Sequence, residues 1–181
     1  MSLLSYLELV DLVNEGVITA DLSRVNGSSI DVKLDSIIRV ERCSLKKRVV
    51  DLAAKDNIST KEVDISQNGW VMHPGDFILA SSREVFNLPA DISCEYKLKS
   101  SMARNGLEHL NAGWCDAHWH GSKLTLELKN MTRGHSLLLR EGMAIGQIVF
   151  YRHAPVPIEA GYAVKGQYNN QLKVTESKGI Q

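Results

Sequence analysis

The stretch LKSSMARNGL, residues 98–107, places two serines between two cations. Lys99 directly precedes Ser100 and Ser101, and Arg104 follows three residues after the second serine. Hydroxyls and cations that converge on one point can bind a phosphate through charge-assisted hydrogen bonds. The same residues also suit the start of a helix, with Ser100 or Ser101 as the N-cap and the cations in solvent. On this stretch alone, both interpretations stand.

A carboxylate on a predicted strand is the candidate for acid–base chemistry. In KLTLELKN, residues 123–130, leucines alternate with polar residues, so Thr125, Glu127 and Lys129 share one face. On the pattern alone, Glu127 is a solvated residue on the outer face of a sheet. If that face lines a cleft instead, a carboxylate held by a rigid strand is a good general base.

The segment HLNAGWCDAHWHG, residues 109–121, contains four residue types that can bind a metal, at Cys115, Asp116, His118 and His120. Neighbouring candidates on one loop do not easily surround a tetrahedral zinc, and the sequence has no second ligand cluster. The H-x-E and P-C-x-x-C signature of zinc-dependent base deaminases is missing. The G-x-S-x-G, P-loop and G-x-G-x-x-G motifs are missing as well. The sequence therefore predicts chemistry without zinc.

The elements that must position these residues are mostly strands. Leu4, Leu7 and Val10 follow helical spacing and Gly16 ends the pattern, which predicts one helix over residues 4–16. From residue 29 onwards, short β-rich runs alternate with turn signals, and they include RVVDL at 48–52. Strands this short and numerous, without alternating long helices, predict an all-β barrel or sandwich.

Composition excludes several classes of protein. The chain has 21 basic and 21 acidic residues, and this balance argues against a nucleic-acid-binding protein, which normally carries a basic excess. No segment approaches the roughly 20 apolar residues that span a bilayer, and the N-terminus lacks the basic region of a secretory signal. Three widely spaced cysteines fit a reducing compartment. We therefore predict a cytoplasmic protein with no membrane partner.

The C-terminal segment, residues 161–181, is polar and rich in Gly, Asn and Gln. Such a segment is either a frayed tail or a lid that closes over a ligand. Tyr162, Tyr168 and Gln171 supply the aromatic rings and donors that a lid needs.

The chain resembles the dCTP deaminase family of the dUTP pyrophosphatase superfamily. Five stretches carry the resemblance, and they occur in the same order as in the family. KSSMARNGL is similar to the family's phosphate-binding R-S-S-L-A-R-x-G-L, and GMAIGQIVF matches G-M-x-I-G-Q-L-x-F almost throughout. The other matching stretches are NGSSIDVKL (26–34), HPGDFILASSREVFNLP (73–89) and the base-binding hairpin HLNAGWCDAHWHGSKLTLEL (109–128). With the closing KGQYNNQ, the resemblance spans nearly the whole chain.

The resemblance implies a single domain over residues 1–181, folded as a distorted β-barrel of the dUTPase-like jelly-roll type. It implies a homotrimer in which the Lys99–Arg104 cluster of one subunit faces Glu127 of its neighbour. Mg²⁺ is expected only as an ion bound through the substrate's triphosphate. The implied catalytic residues are Glu127, Ser100 and Arg104. The implied substrate-binding residues are Lys99, Ser101, Met102, Ala103, Asn111, Ala112, Gly113, Asp116, Thr125, Leu126, Gln147, Tyr162 and Gln171.

The implied reaction is hydrolysis of dCTP to dUTP and ammonia, with dUTP or dTTP as product or feedback ligand. Asp116, in the stretch A-G-W-x-D, keeps open a bifunctional enzyme that forms dUMP, or a dUTP pyrophosphatase alone. A catalytically silent nucleotide sensor ranks lower, because a pure binder has no need of Glu127. The chain departs from the family pattern at four positions, which concern the preferred base more than the fold. These are Lys99 for Arg, Asn111 for Thr, His118 for Gly and Gln167 for Lys.

Overall fold

A computed structural model describes residues 1–42 and 49–179 of the chain. In these residues one helix of more than two turns, α1 (Tyr6–Asn14), precedes a succession of short strands. The strands are β1 (Ser2–Leu3), β2 (Ile30–Lys33), β3 (Ile37–Glu41), β4 (Thr60–Asp64), β5 (Trp70–Met72), β6 (Phe77–Asn87), β7 (Ile92–Leu98), β8 (Leu107–His109), β9 (Trp114–Cys115), β10 (His120–Asn130), β11 (Leu137–Leu139) and β12 (Ala144–Arg152). The structure also has the short helices α2 (Ser100–Ala103) and α3 (Tyr162–Lys165) and two 3-10 helices, Leu22–Arg24 and Ile158–Ala160.

The start of helix α1 is marked by a contact between its N-cap residue, Ser5, and Glu8 in the first turn. The backbone N–H of Ser5 donates to the Glu8 carboxylate at 2.9 Å, as in a capping box. Gly16, at φ 74°, turns the chain away after the helix ends, so the helix is shorter than the 4–16 predicted. Leu9 and Leu12 are buried in the core. None of the helices in the described ranges is long and apolar enough to cross a membrane.

Two five-stranded sheets enclose the core. One has the order β1-β12-β7-β9, with β2 also paired to β12, and the other has the order β4-β3-β6-β10-β8. A ribbon of β5 and β11 lies apart from both sheets in the described part of the chain. The predicted mainly β fold of the distorted-barrel type, with an N-terminal helix, is confirmed, although hydrogen bonding does not close the described strands into a ring. A single domain over all 181 residues stays a prediction.

Strand β10 is the element that carries the candidate general base. It pairs with β6 over most of its length, and its even-numbered residues from Ser122 to Asn130 are buried. The odd-numbered residues therefore lie on the outer face, as the alternation predicts. Leu126 and Glu127 consequently point to opposite faces of the same strand.

The prediction of a strand over residues 48–52 is wrong for the residues of this range that the structure describes. Residues 49–51 are irregular and a turn begins at Leu52, while Arg48 lies outside the described residues. The strand in this region is β4, whose sequence TKEVD is mostly polar. It pairs in full with β3, so the ladder of backbone hydrogen bonds defines it without an apolar pattern.

Candidate active site

A cavity of about 500 Å³ lies over the outer face of β6 and β10. Its floor contains Thr125 and Glu127 from β10 and Leu79 from β6. The hairpin segment 112–119 and the C-terminal segment form its walls. The predicted site residues that line this cavity are Ala112, Thr125, Glu127, Tyr162 and Gln171. The polar face of β10 thus lines a cleft, the arrangement in which Glu127 was expected to be able to act as a general base.

The Glu127 carboxylate is held at the edge of this cavity with spare hydrogen-bonding capacity. Its side chain is 27% exposed, and its Oε2 atom is buried without a hydrogen-bond partner in the described part of the chain. The Nε2 atom of His109 lies 3.4 Å from this Oε2. A partly desolvated carboxylate oxygen that is free to accept a proton is what a general base requires.

His109 is itself fixed by packing. Its ring lies 4.5 Å from the ring of Tyr96, measured between centroids. Gly146 makes room for this tyrosine, because a Cβ at that position would lie 2.0 Å from the Tyr96 ring. Burial raises the pKa of the Tyr96 hydroxyl well above its ordinary range, so Tyr96 stays neutral beside the histidine. No role was predicted for His109, although it is the first residue of the hairpin motif HLNAGWCDAHWHG.

The backbone of Thr125 faces a gap in the sheet. On this side of β10, Lys123 N–H donates to the Gln171 carbonyl at 2.8 Å, and Glu127 C=O accepts from Leu110 N–H at 3.2 Å. Alternate residues of a strand direct their N–H and C=O groups to the same side. The N–H and C=O of Thr125 therefore point into the space between these two contacts, where a planar base could pair with them.

Gln171 closes one side of that gap. Its Nε2 donates to Thr125 Oγ1 at 3.1 Å, and its Oε1 is buried without a partner among the described residues. The structure thus places Gln171 beside the floor of the cavity. The resemblance had included this residue in the substrate-binding set.

The C-terminal residues lie against the hairpin and cross the cavity. Trp119 Nε1 and Ser122 Oγ both donate to the Tyr168 carbonyl, at 2.9 and 3.0 Å. Further along, Glu176 accepts a hydrogen bond from Arg39 at 2.8 Å and a second one from the Thr60 hydroxyl. The Thr60 hydrogen bond, followed by the bond and charge of Arg39, lowers the pKa of Glu176. Residues 161–179, which we call the lid segment, therefore cover the cavity.

The Lys99–Arg104 cluster lies outside the cavity that contains Glu127. Among the described residues, none of 99–104 lines the Glu127 cavity. Lys99 forms an ion pair with Asp31 at 2.7 Å, and Gln147 is the register partner of Asp31 on β12. Lys99 and Gln147 therefore lie close to each other on the first sheet. One chain presents two separate groups of predicted site residues, one around Glu127 and one around Lys99.

The serines of this cluster do not cap a helix. Helix α2 begins at Ser100, its N-cap is Lys99, and no side chain caps it. Ser100, Ser101 and Arg104 are exposed, whereas Met102 is half-buried and packs against the core. The N-cap interpretation of Ser100 and Ser101 is therefore wrong. Both hydroxyls remain accessible to a ligand.

Asp116 belongs to a second, smaller cavity of about 390 Å³. Its carboxylate accepts from Trp114 Nε1 at 2.8 Å. Tyr162 lines both cavities and separates them. Burial, the largest effect on this residue, raises the pKa of the Tyr162 hydroxyl.

Two departures from the family pattern have unusual backbone geometry. Asn111 adopts φ 60° and His118 adopts φ 67°, in the left-handed region that glycine and asparagine tolerate best. Gly113, between them, must remain glycine, because a Cβ there would lie 2.9 Å from the Tyr96 carbonyl oxygen. Asn111 is exposed and outside the cavity lining.

Residues 1–42 and 49–179 contain no group of three or more His, Cys, Asp or Glu side chains that could hold a metal ion. Cys115, Asp116, His118 and His120 thus do not converge. The Mg²⁺ ion expected through the triphosphate of the substrate stays a prediction.

Comparisons with known proteins show which family this chain resembles over most of its length. A family model described as DCD, dCTP deaminase-like, matches residues 3–153. A curated relative from Rhodococcus opacus (strain B4), named dCTP deaminase, dUMP-forming, is 35% identical over 167 residues, covering 90% of this chain and 87% of its own. A relative of the same name from Salinispora arenicola (strain CNS-205) is 37% identical over 165 residues, covering 89% of this chain and 84% of its own.

A solved structure of 2′-deoxycytidine 5′-triphosphate deaminase from Agrobacterium tumefaciens is also similar. It is 26% identical with a TM-score of 0.66, and the match covers 83% of this chain. The chain spans about half the length of that protein, 48%. The chain belongs to the dCTP deaminase-like family, which confirms the resemblance drawn from the five stretches.

Proposed function

We propose that the protein is a bifunctional enzyme that converts dCTP to dUMP. The first step hydrolyses dCTP to dUTP and ammonia, and the second hydrolyses dUTP to dUMP and pyrophosphate. In total, one dCTP and two waters give dUMP, pyrophosphate and ammonia. The names of the curated relatives favour this dUMP-forming alternative over release of dUTP, which was the first expectation.

The observation that carries the proposal is the position of Glu127. Its Oε2 atom, which has no hydrogen-bond partner among the described residues, lies at the edge of a cavity whose floor also contains Thr125. The N–H and C=O of Thr125 point into the gap between the Lys123–Gln171 and Leu110–Glu127 contacts. A base that pairs with Thr125 would therefore present its ring to the Glu127 carboxylate. A silent nucleotide sensor would not need a desolvated carboxylate at that point.

In the deamination step, Glu127 takes a proton from a water that attacks C4 of cytosine. The new C–O bond makes C4 tetrahedral, and Glu127 delivers the proton of the water to N3. Glu127 then takes the proton of the new hydroxyl group on C4 and gives it to the departing amino group. The C4–N4 bond then breaks, ammonia leaves and the uracil carbonyl forms. General acid–base catalysis of this kind contributes about 10²- to 10⁴-fold in rate.

The second step would use Asp116, which lines the neighbouring cavity. There the carboxylate orients a water that attacks the α-phosphorus. The bond from that phosphorus to the bridging oxygen breaks, and pyrophosphate leaves. Mg²⁺ bound through the phosphates would neutralise their charge during this step. Tyr162, which lines both cavities, lies where the sugar would connect the base to the triphosphate.

The phosphate-binding residues would come from a second copy of the chain. The Lys99–Arg104 cluster is outside the Glu127 cavity in the described chain, so one copy does not complete the site. A junction between subunits provides a deep charged cleft without hollowing out a core. We therefore propose a homotrimer in which Ser100 and Arg104 of one subunit act on the nucleotide held by Glu127 of the next.

A product analysis tests this proposal. The protein is incubated with dCTP and Mg²⁺, and dCTP, dUTP, dUMP and pyrophosphate are separated by chromatography over time. We expect equal amounts of dUMP and pyrophosphate with little free dUTP. Accumulation of dUTP without pyrophosphate would support the deaminase alone, and hydrolysis of added dUTP with no ammonia from dCTP would support a dUTP pyrophosphatase alone.

A further inference from the structure

His118 adopts a backbone conformation that a side chain normally disfavours. Its φ of 67° lies in the left-handed region, and the family pattern has glycine at this position. A histidine there costs conformational energy that glycine would avoid.

The ring of His118 joins the hairpin to the segment that precedes the lid. Its Nε2 donates to the Val156 carbonyl oxygen at 2.9 Å. The ring also lies directly on Gly161, where a Cβ would come within 2.2 Å of His118 Cδ2. Only glycine at position 161 allows this approach.

A second contact of the hairpin, beside His118, holds a residue that lines the Glu127 cavity. Tyr162 N–H donates to the Ala117 carbonyl at 3.0 Å, directly before His118. The Tyr162 ring then lines the Glu127 cavity, and the chain continues from it to Gln171. His118 therefore fixes the point at which the lid segment leaves the body of the protein.

We propose that His118 is a positioning residue that holds the lid segment closed over the nucleotide. Its ring clamps residues 156–161 on the hairpin and so places Tyr162 between the two cavities. The effect on catalysis rests on the proposed function, because the lid matters to turnover only if the cavity binds a nucleotide. Preorganising a lid lowers the cost of ordering it when the substrate binds.

Two variants and one control test the proposal. His118→Gly and His118→Asn both tolerate the positive φ and both remove the imidazole ring. His120→Gln is the control, because His120 is exposed and its ring donates to the carbonyl of His118 and not to the lid segment among the described residues. Hydrogen exchange of the Tyr162 amide and of residues 164–171 is measured without nucleotide, together with Tm and with KM and kcat for dCTP.

In both His118 variants we expect the backbone amides of the lid segment to exchange about tenfold faster. This change corresponds to a loss of about 1.4 kcal/mol of local stability. Exchange in β6 and β10 and the Tm should stay as in the unchanged protein. KM for dCTP should rise about five- to tenfold with kcat within about twofold, the pattern of lost ground-state binding. The control should match the unchanged protein in every measurement.

Unchanged lid exchange in both variants would overturn the proposal. So would faster exchange in His118→Gly alone, since this would trace the effect to glycine flexibility and not to the ring. A uniform loss of protection with a lower Tm would assign His118 a merely structural role. Because exchange is measured without nucleotide, a protein that fails to turn over dCTP can still show the clamp, and the two failures are distinguishable.

Discussion

The Nε2 atom of His109 lies 3.4 Å from Oε2 of Glu127, and neither atom has a hydrogen-bond partner among the described residues. The pair is slightly too long for a good hydrogen bond, and a small movement on substrate binding would close it. His109 is therefore in position to orient the Glu127 carboxylate.

We predict that His109→Gln lowers kcat for deamination about 10- to 100-fold, since a hydrogen bond to a charged group is worth about 1.5–3 kcal/mol. The Kd for dCTP, measured by calorimetry, should change much less. The same substitution at His135, an exposed histidine, is the control. A variant with normal kcat would show that His109 only fills space beside Tyr96.

Asp116→Asn should separate the two proposed steps. Its carboxylate lines the second cavity and not the one that holds Glu127, so pyrophosphate release should fall at least 10-fold more than ammonia release. Both products are measured from one dCTP reaction, and dUTP should accumulate. Equal losses of ammonia and pyrophosphate would contradict two distinct roles.

We predict that the lid segment is less stable at acidic pH, because Glu176 holds it through a contact with Arg39. The hydrogen bond from Thr60, followed by the bond and charge of Arg39, lowers the pKa of Glu176 below its ordinary 4.5. These contacts of the ionised carboxylate therefore stabilise the closed lid above pH 4.5. The stabilisation is lost as the pH falls through the lowered pKa. Hydrogen exchange of residues 171–179, corrected for intrinsic rates, should be constant from neutral pH to about pH 5 and rise below pH 4.

Glu176→Gln should give the faster exchange already at neutral pH, because the uncharged side chain loses the ion pair with Arg39. Glu159→Gln, on the exposed 3-10 helix Ile158–Ala160, is the matched control. Protection that does not depend on pH or on Glu176 would show that this contact does not hold the lid.

Two inactive variants should restore each other if the site is shared between subunits. Arg104→Ala keeps Glu127, and Glu127→Gln keeps the Lys99–Arg104 cluster. Random mixing of refolded chains gives about a quarter of junctions with both intact parts, one half times one half. About that fraction of normal turnover should return, and light scattering should report three times the 20.1 kDa chain mass. No recovered activity in a mixed trimer would contradict the shared site.

The periodic parts of this fold were predictable from the sequence. The alternation in KLTLELKN fixed the face of Glu127, because side-chain direction in a strand depends only on parity. Strand β4 was missed because its residues TKEVD carry no such pattern and only pairing with β3 defines it. Helix α1 was predicted, but its ends depend on the Ser5–Glu8 contact and on Gly16.

The assembly of the site was less predictable, because it depends on contacts between distant residues. Lys99 pairs with Asp31 across 68 positions of sequence, and Gln171 reaches Thr125 across 46. No local pattern encodes such contacts. The hairpin around His118 was recognisable by motif, yet its positive φ and its contact with Gly161 follow only from the folded chain.

The most direct test of the account is Glu127→Gln, because the substitution keeps the shape of the side chain and removes its ability to take a proton. Ammonia release from dCTP and the Kd for dCTP are measured on the same preparation. We predict that ammonia release falls by about 10²- to 10⁴-fold or more while the Kd stays within about threefold. Near-normal ammonia release from a correctly folded Glu127→Gln protein would contradict the assignment of Glu127 as the base that activates water.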